Sequence, residues 1–390
     1  MPKTSRYRPH ALRILQLIWR RGTVSRLEVA ENTRYSGFLI SKTCDKLLRA
    51  GFITEAGFGD STGGRRPTLL SLRSGFGRIV GVHMGAVNVR VALTDVSGGL
   101  IDFIKGPSYA AAGPDVALPR LIELIDGLLD KAGVKPSELG GIGVGISGVL
   151  DRATGSILFW PKLPAWVNVP VKEILSSHYP TLIEMEDTPR SMALAEQRMG
   201  AASHAKQFVH LAIGAGIGAA IFSEGGLYGG SEGFAGEAGH ISVSENGPFC
   251  SCGNRGCLET LVSAEAIIRR AQNGMALGLS NELMKVSGGD PQRISVESVA
   301  AAARQGDRFA LRLLAETSTY LGAAIVSLVN LLNPELVVIG GSFASAVGDL
   351  CLHSIERIVQ ERGMMQSVKN LRICISTLQE SDWARGSALL

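Results

Sequence analysis

A strand–glycine turn–strand pattern occurs twice in this chain, and it limits the possible folds more than any other feature. Residues 79–95 read IVGVHMGAVNVRVALTD, and residues 208–225 read FVHLAIGAGIGAAIFSEG. Each is a run rich in β-branched residues broken by glycine, which predicts two strands joined by a tight turn. Alternating helices and short strands follow. After the first unit come LPRLIELIDGLLDKAG, LGGIGVGISG, TLIEME and RSMALAEQRMGAA; after the second come LRLLAETSTYLGAAIVSLVNLL, ELVVIGG and a helix starting near Phe343. The recurrence predicts two related α/β lobes with a cleft between them, over 76–200 and 201–390. Glycine-rich turns are expected at 141–148, 212–218 and 340–341, where backbone amides would meet an anion or a sugar. No GxxxxGK[ST] segment exists, which excludes a P-loop. GAGIG at 214–218 opens a strand and not a helix, so it carries little weight for a dinucleotide site.

The first 75 residues differ in charge from the rest. They hold 14 Lys/Arg against 5 Asp/Glu, and the remainder holds 25 against 30. A small basic module ahead of a mildly acidic body implies a polyanionic partner for the module. ALRILQLIWR has helical spacing. SRLEVAEN opens with Ser25 and Glu28 in capping-box spacing. SGFLISKTCDKLLRAG has an inner stripe of Leu39, Ile40, Cys44, Leu47 and Leu48, and Gly51 ends it. FITEAG and PTLLSL then flank GFGDSTGGRRP. Three helices and a two-stranded ribbon in this order predict a winged helix-turn-helix over 1–75 that binds double-stranded operator DNA. Tyr35, Ser36, Gly37, Phe38, Ser41 and Lys42 are the residues expected to face DNA, with Phe38 either on a thymine methyl or in the core. Arg65 and Arg66 form the wing tip, suited to a phosphate track or a narrow minor groove.

No signal-peptide core and no stretch of eighteen apolar residues is present, which predicts a cytoplasmic protein without membrane contact or a disulfide framework. Three of the six cysteines nevertheless crowd into CSCGNRGCLE at 250–259. A redox pair, a metal knuckle and chance crowding are all compatible with that spacing. Cys44, Cys351 and Cys374 sit in apolar contexts and read as core.

With SRLEVAE…STGGRRPTLLSL, GISGVLDRATGSILFWPKLPAW, GFAGEAGHISVSENGPFCSCGNRGCLE and NPELVVIGG, nearly the whole chain resembles the ROK family of repressors and kinases. Members with the N-terminal module are similar to xylose- and N-acetylglucosamine-responsive repressors. Members without it are mostly sugar kinases of the actin-like, hexokinase-like two-lobed fold. The resemblance implies that His240, Cys250, Cys252 and Cys257 hold a structural zinc, a closed tetrahedral shell with no position left for catalysis. It also implies sugar contacts at Glu237, His240 and Glu259.

The kinase parts depart from the family pattern. In place of a DxGGT-like turn stands HMGAV, so His83 replaces the Asp and Val87 the Thr. The END segment becomes Glu186, Asp187 and Thr188, which puts threonine where the general base belongs. GTGIG becomes GAGIG, with Ala215 losing a hydroxyl. The sugar-side PNL becomes PKLPAW, placing Lys162 and Asp187 at effector positions normally held by asparagine. The expectation is a sugar-responsive transcriptional regulator, a repressor, with a catalytically inactive body. It would act as a homodimer or homotetramer on a palindromic site. A sugar kinase with an appended head and a ligand-independent DNA-binding protein are the competing readings.

Overall fold

The structure is a computed structural model that describes residues 9–60, 66–73, 77–161 and 163–390. The head runs α1 (Pro9–Arg21), β1 (Thr23–Ser25), α2 (Arg26–Thr33), α3 (Gly37–Arg49), β2 (Ile53–Phe58) and β3 (Thr68–Leu72). Its three strands order as β1-β3-β2, and Ile14, Ile18, Val24, Val29, Ile40, Cys44, Leu47, Ile53 and Leu70 fill its core. The capping box is present: the Ser25 hydroxyl accepts from Glu28 N and the Glu28 carboxylate accepts from Ser25 N. At the end of α3, Gly51 N donates to Leu48 O and Phe52 N to Leu47 O, with Gly51 at φ +76. That paired geometry needs a left-handed residue, which glycine supplies without cost. The buried stripe of α3 is Ile40, Thr43, Cys44 and Leu47, with Leu39 and Leu48 only half-buried.

The first lobe contains β4 (Arg78–Met84), β5 (Asn88–Thr94), β6 (Leu100–Pro107), α4 (Pro114–Ala132), β7 (Leu139–Ile146), β8 (Val149–Asp151), β9 (Ser156–Trp160), β10 (Leu163–Val169), α5 (Val171–His178), β11 (Leu182–Asp187) and α6 (Thr188–Met199). The second contains β12 (Phe208–Ile213), β13 (Ile217–Ser223), β14 (Gly226–Leu227), α7 (Leu258–Val262), α8 (Ala264–Ala276), α9 (Asn281–Val286), α10 (Val296–Arg304), α11 (Arg308–Leu332), β15 (Leu336–Gly340), α12 (Ser342–Arg362), α13 (Met365–Val368) and β16 (Arg372–Ile375), and α14 (Glu380–Ala388) follows them in the chain.

The two five-stranded sheets, β11-β7-β4-β5-β6 and β16-β15-β12-β13-β14, have the same topology. β4 pairs antiparallel with β5 and parallel with β7, as β12 does with β13 and β15. The predicted repeat is therefore real. Helix α11 has the length and apolarity of a membrane span, but half of that window is buried, and its Leu313, Leu321, Ile325 and Val329 sit in the core of the second lobe.

Two expectations change. Residues 139–146 form strand β7, as the short apolar run LGGIGVGISG suggests, so the glycine turn expected over 141–148 starts only where the strand ends, although 141–146 carry Gly141, Gly143 and Gly145. The reason lies in α14, which the sequence grouped with the second lobe and which packs on β4, β5, β7 and α6 of the first. A Cβ at Gly143 would stand 1.7 Å from Ser387 O, and one at Gly81 would stand 2.0 Å from Ala384 O. These glycines carve the trough in which α14 lies. The small sheet β10-β9-β8 was not anticipated.

Candidate functional site: a zinc knot, a clasped cleft and an exposed helix face

GEAGH ends in a 3-10 turn, Ala238–His240, that hangs from β13 through Ala219 N donating to Gly236 O. From there the chain folds back. Val243 N donates to Gly256 O, Leu258 N to Ile241 O, Cys250 N to Asn254 O and Gly256 N to Pro248 O. A Cβ at Gly256, φ +63, would lie 1.6 Å from Ser244 O, so glycine is obligatory there. The result brings His240, Cys250, Cys252 and Cys257 together, with their ligand atoms all within 4.8 Å of one another.

Cys252 Sγ and Cys257 Sγ are 3.7 Å apart, and Cys250 Sγ lies 3.5 Å from His240 Nδ1. Zn–S bonds of ~2.3 Å and Zn–N bonds of ~2.0–2.1 Å in a tetrahedron put neighbouring ligands ~3.6–3.8 Å apart. The set fits zinc, with imidazole Nδ1 as its nitrogen ligand. Burial pushes the Cys257 thiol up to about 12, which marks a site where thiolate needs a cation beside it. Zinc bound here has a closed structural role and would peg the loop to α7, which starts directly after Cys257. Cys44 and Cys351 are buried and Cys374 half-buried, in keeping with their reading as core.

The expected effector residues lie around this knot and at the start of α6. Glu237 is exposed and its carbonyl accepts from His240 N. Glu259, in the first turn of α7, accepts from Ile217 N at 2.9 Å and so braces the 214–217 turn. Across that turn the Pro189 ring lies 2.6 Å from where a Cβ on Gly218 would be, which brings α6 against the same glycines. Asp187 caps α6: Oδ1 accepts from Arg190 N at 2.9 Å and Oδ2 from Arg152 at 2.8 Å. Burial, and then the adjoining Glu186, raise the Asp187 pKa. Lys162 lies outside the described residues.

Arg152, inside a segment quoted above for its family likeness but without an assigned role, proves central. Its guanidinium donates to Glu186 at 2.7 Å, to Asp187 and, across to the second lobe, to Gly233 O at 2.6 Å. Arg190 reaches the same loop by donating to Tyr228 O and Ala235 O. The lobes are thus clasped by two arginines on one pair of carboxylates. A single Arg has no periodicity, so the sequence held no signal for either.

The kinase positions are filled by groups unsuited to phosphoryl transfer. His83 is buried beside Trp383, ring centroids 5.5 Å apart, and burial with help from Arg90 lowers it to about 3. A neutral imidazole cannot take the part of the Asp that the family resemblance puts at this position. Thr188 is buried, with its hydroxyl 3.3 Å from that of Ser147.

In the head, Gly37, Phe38, Ser41 and Lys42 form an exposed face on α3. Phe38 is 78% exposed, which removes the core alternative for it, and Lys42 Nζ lies 5.7 Å from its ring centroid. Ser36 is the N-cap, accepting from Leu39 N, and Tyr35 packs half-buried against the head's core. Arg66 is exposed, and Arg65 lies outside the described residues.

A winged-helix head on a duplicated two-lobed body, with a knot of one histidine and three cysteines, defines a class: regulators and kinases built on one sugar-kinase-like frame. The sequence pattern of the ROK family matches residues 79–390, and the chain belongs to that family. It is similar to the xylose repressor of Caldicellulosiruptor bescii, at 29% identity over 95% of this chain and 92% of that one. It is also similar to the glucokinase of Thermotoga maritima, at 30% identity over 80% of this chain and 96% of the enzyme. Among solved structures, a ROK family transcriptional regulator described as a homolog of E. coli MLC superposes with a TM-score of 0.81 at 26% identity. That match covers 97% of this chain and 94% of the other.

Proposed function

We propose that this protein is a sugar-responsive transcriptional repressor whose body binds an effector and transfers no phosphate. The observation that carries the reading is the pairing of an exposed α3 face in a basic head with Thr188 at the base position. Hydroxyl phosphorylation needs a base on the acceptor and charge stabilisation around the phosphates. Thr188, His83 and Ala215 remove a part from each. The likeness to repressors spans head and body alike, whereas the glucokinase match covers 80% of the chain.

The head, residues 1–75, reads DNA through Gly37, Phe38, Ser41 and Lys42, with Arg65 and Arg66 on the wing and Tyr35 and Ser36 placing the helix. The lobes, 76–200 and 201–390 with α14 returning to the first, take a sugar at Glu237, His240 and Glu259, with Lys162 and Asp187 tuning the choice. One oxygen of Glu259 and both oxygens of Asp187 already hold protein groups, so an effector competes for them. A homodimer or homotetramer supplies the two half-site contacts.

The test selects genomic fragments on the full chain, then challenges the complexes with pentoses, hexoses and N-acetylhexosamines. Retention at low salt, release by one sugar class, and a salt dependence reduced by about one unit in Lys42→Ala are expected. Absence of duplex affinity, or ATP-dependent phosphorylation of any sugar in the panel, sinks the reading.

A further inference from the structure

We propose that helix α6 is the strut that carries the state of the cleft to the DNA-reading head, and that Arg198 is its coupling residue. The proposal rests on the functional reading above and names its route of regulation. At its first turn α6 belongs to the clasp. Asp187 caps it while holding Arg152, and Arg190 grips the 228–235 loop of the opposite lobe. Any ligand that enters between the lobes and donates to the Asp187 carboxylate or to Gly233 O in place of Arg152 must rearrange this turn.

At its last turn α6 leaves the body. Arg198 Nη1 donates to Trp19 O of α1 at 2.6 Å, and Nη2 lies 3.5 Å from Ser97 O. Trp19 O is among the last four carbonyls of α1, which have no partner within their own helix. A guanidinium there satisfies the carbonyl and also sits at the negative end of the helix dipole. The contact is therefore directional: moving Arg198 moves the end of α1. That helix shares its core with α3 through Ile14, Ile18, Ile40 and Leu47, so the tilt of α1 sets the presentation of α3.

Between the two ends α6 has little freedom to bend. Its twelve residues span ~18 Å. Ser191, Met192, Ala193, Ala195 and Glu196 are buried along it. Gly386 lets α14 lie directly against it, since a Cβ there would stand 2.2 Å from Ser191 O. Glu196 accepts from Ala201 N and from the Ser376 hydroxyl, which ties its far end to the second lobe. A close-packed rod of this kind passes on a displacement as a whole and does not absorb it. Arg385 of α14 donates to Gly98 O, so both helices end on the same 95–99 turn under the head.

Hydrogen exchange on the full chain tests this without any effector or DNA. Arg152→Ala loosens the clasp, and exchange is expected to quicken at least fivefold in 228–235 and also in the last turn of α1. In Arg198→Ala, the α1 turn exchanges faster from the outset, and adding Arg152→Ala quickens 228–235 alone. Arg198→Lys, which keeps the charge and one donor, is expected to fall between. Unchanged exchange in β7 and β12 shows that each variant is folded, and Arg152→Lys replaces Arg152→Ala if it is not. The proposal is overturned if Arg152→Ala quickens 228–235 and leaves α1 untouched, or if its effect on α1 survives in Arg198→Ala. Duplex retention by the same proteins reads the repressor assignment separately, because the exchange coupling does not depend on DNA.

Discussion

Replacing Gly143 by alanine adds one methyl group and is expected to dislodge a helix. The new carbon would start 1.7 Å from Ser387 O and 2.7 Å from Ser387 C, whereas ordinary contact begins near 3.4 Å. Strand β7 lies between β11 and β4 in mid-sheet and is held on both sides, so it cannot give way. Helix α14 must retreat by the difference, 1.7 Å. A gap of 0.5–1 Å already forfeits about a quarter to a half of the dispersion attraction, so Trp383, Ala384 and Ala388 lose most of theirs. Overpacking commonly costs ~1–3 kcal/mol, and loss of the helix contact places this substitution at the top of that range, ~3 kcal/mol. With about 2–4 °C per kcal/mol for a domain of this size, the calorimetric midpoint is expected to fall by roughly 6–12 °C. Gly127→Ala is the control. It lies exposed on α4 with nothing within 4 Å, and alanine there is worth about 0.5–1 kcal/mol in the opposite direction. If Gly143→Ala melts with the wild type or with Gly127→Ala, the trough does not hold α14.

Two more outcomes follow from the buried groups. Cys257→Ser is expected to abolish zinc binding as measured by elemental analysis, and a strong chelator is expected to lower the thermal midpoint of the wild type but not of the variant. Retention of one zinc per chain by Cys257→Ser would refute the ligand assignment. His83 is lowered to about 3 and His210 to about 4, both by burial, so the unfolded chain binds these protons first as pH falls below the ordinary histidine value. Each then removes stability at ~1.4 kcal/mol per pH unit until its folded value is reached. Asp187, raised in the fold, works in the opposite sense, so the clean measurement is a difference. Unfolding free energy from urea titrations is expected to fall less steeply between about pH 6 and pH 4 in His83→Leu, by ~1.4 kcal/mol per pH unit. Parallel profiles for the two proteins would refute neutral burial.

What the sequence disclosed depended on whether a signal was local and periodic. Ser25 with Glu28 and the duplicated strand pairs are set by neighbours within a few residues and formed as read, and the stripe of α3 formed around Ile40, Cys44 and Leu47 with Thr43 added and Leu39 and Leu48 only half-buried. The zinc set needed the family likeness, because CxC with a distant His240 has no unique spacing. Gly143 and Gly145 lie in a run that reads both as a buried strand and as a glycine-rich turn, because a glycine looks the same whether it bends the chain or admits a helix from far along it. Phe38 stayed ambiguous beside Leu39 and Ile40 until Thr43 took the inner position. Arg152, Arg190 and Arg198 act through carbonyls on remote segments, and nothing around them in the sequence announces a partner.

The return of α14 to the first lobe also bears on how the molecule is made. The DNA-reading head leaves the ribosome before the body and has its own core, so it is free to fold ahead of it. The lobe it rests on stays unfinished until residues 380–388 appear, after the whole second lobe has been synthesised. A nascent chain therefore passes through an interval in which it holds a basic DNA-reading unit with no completed body to govern it. Premature termination just ahead of residue 380 would fix that ungoverned state permanently, which makes such truncations candidates for dominant interference and not for simple loss.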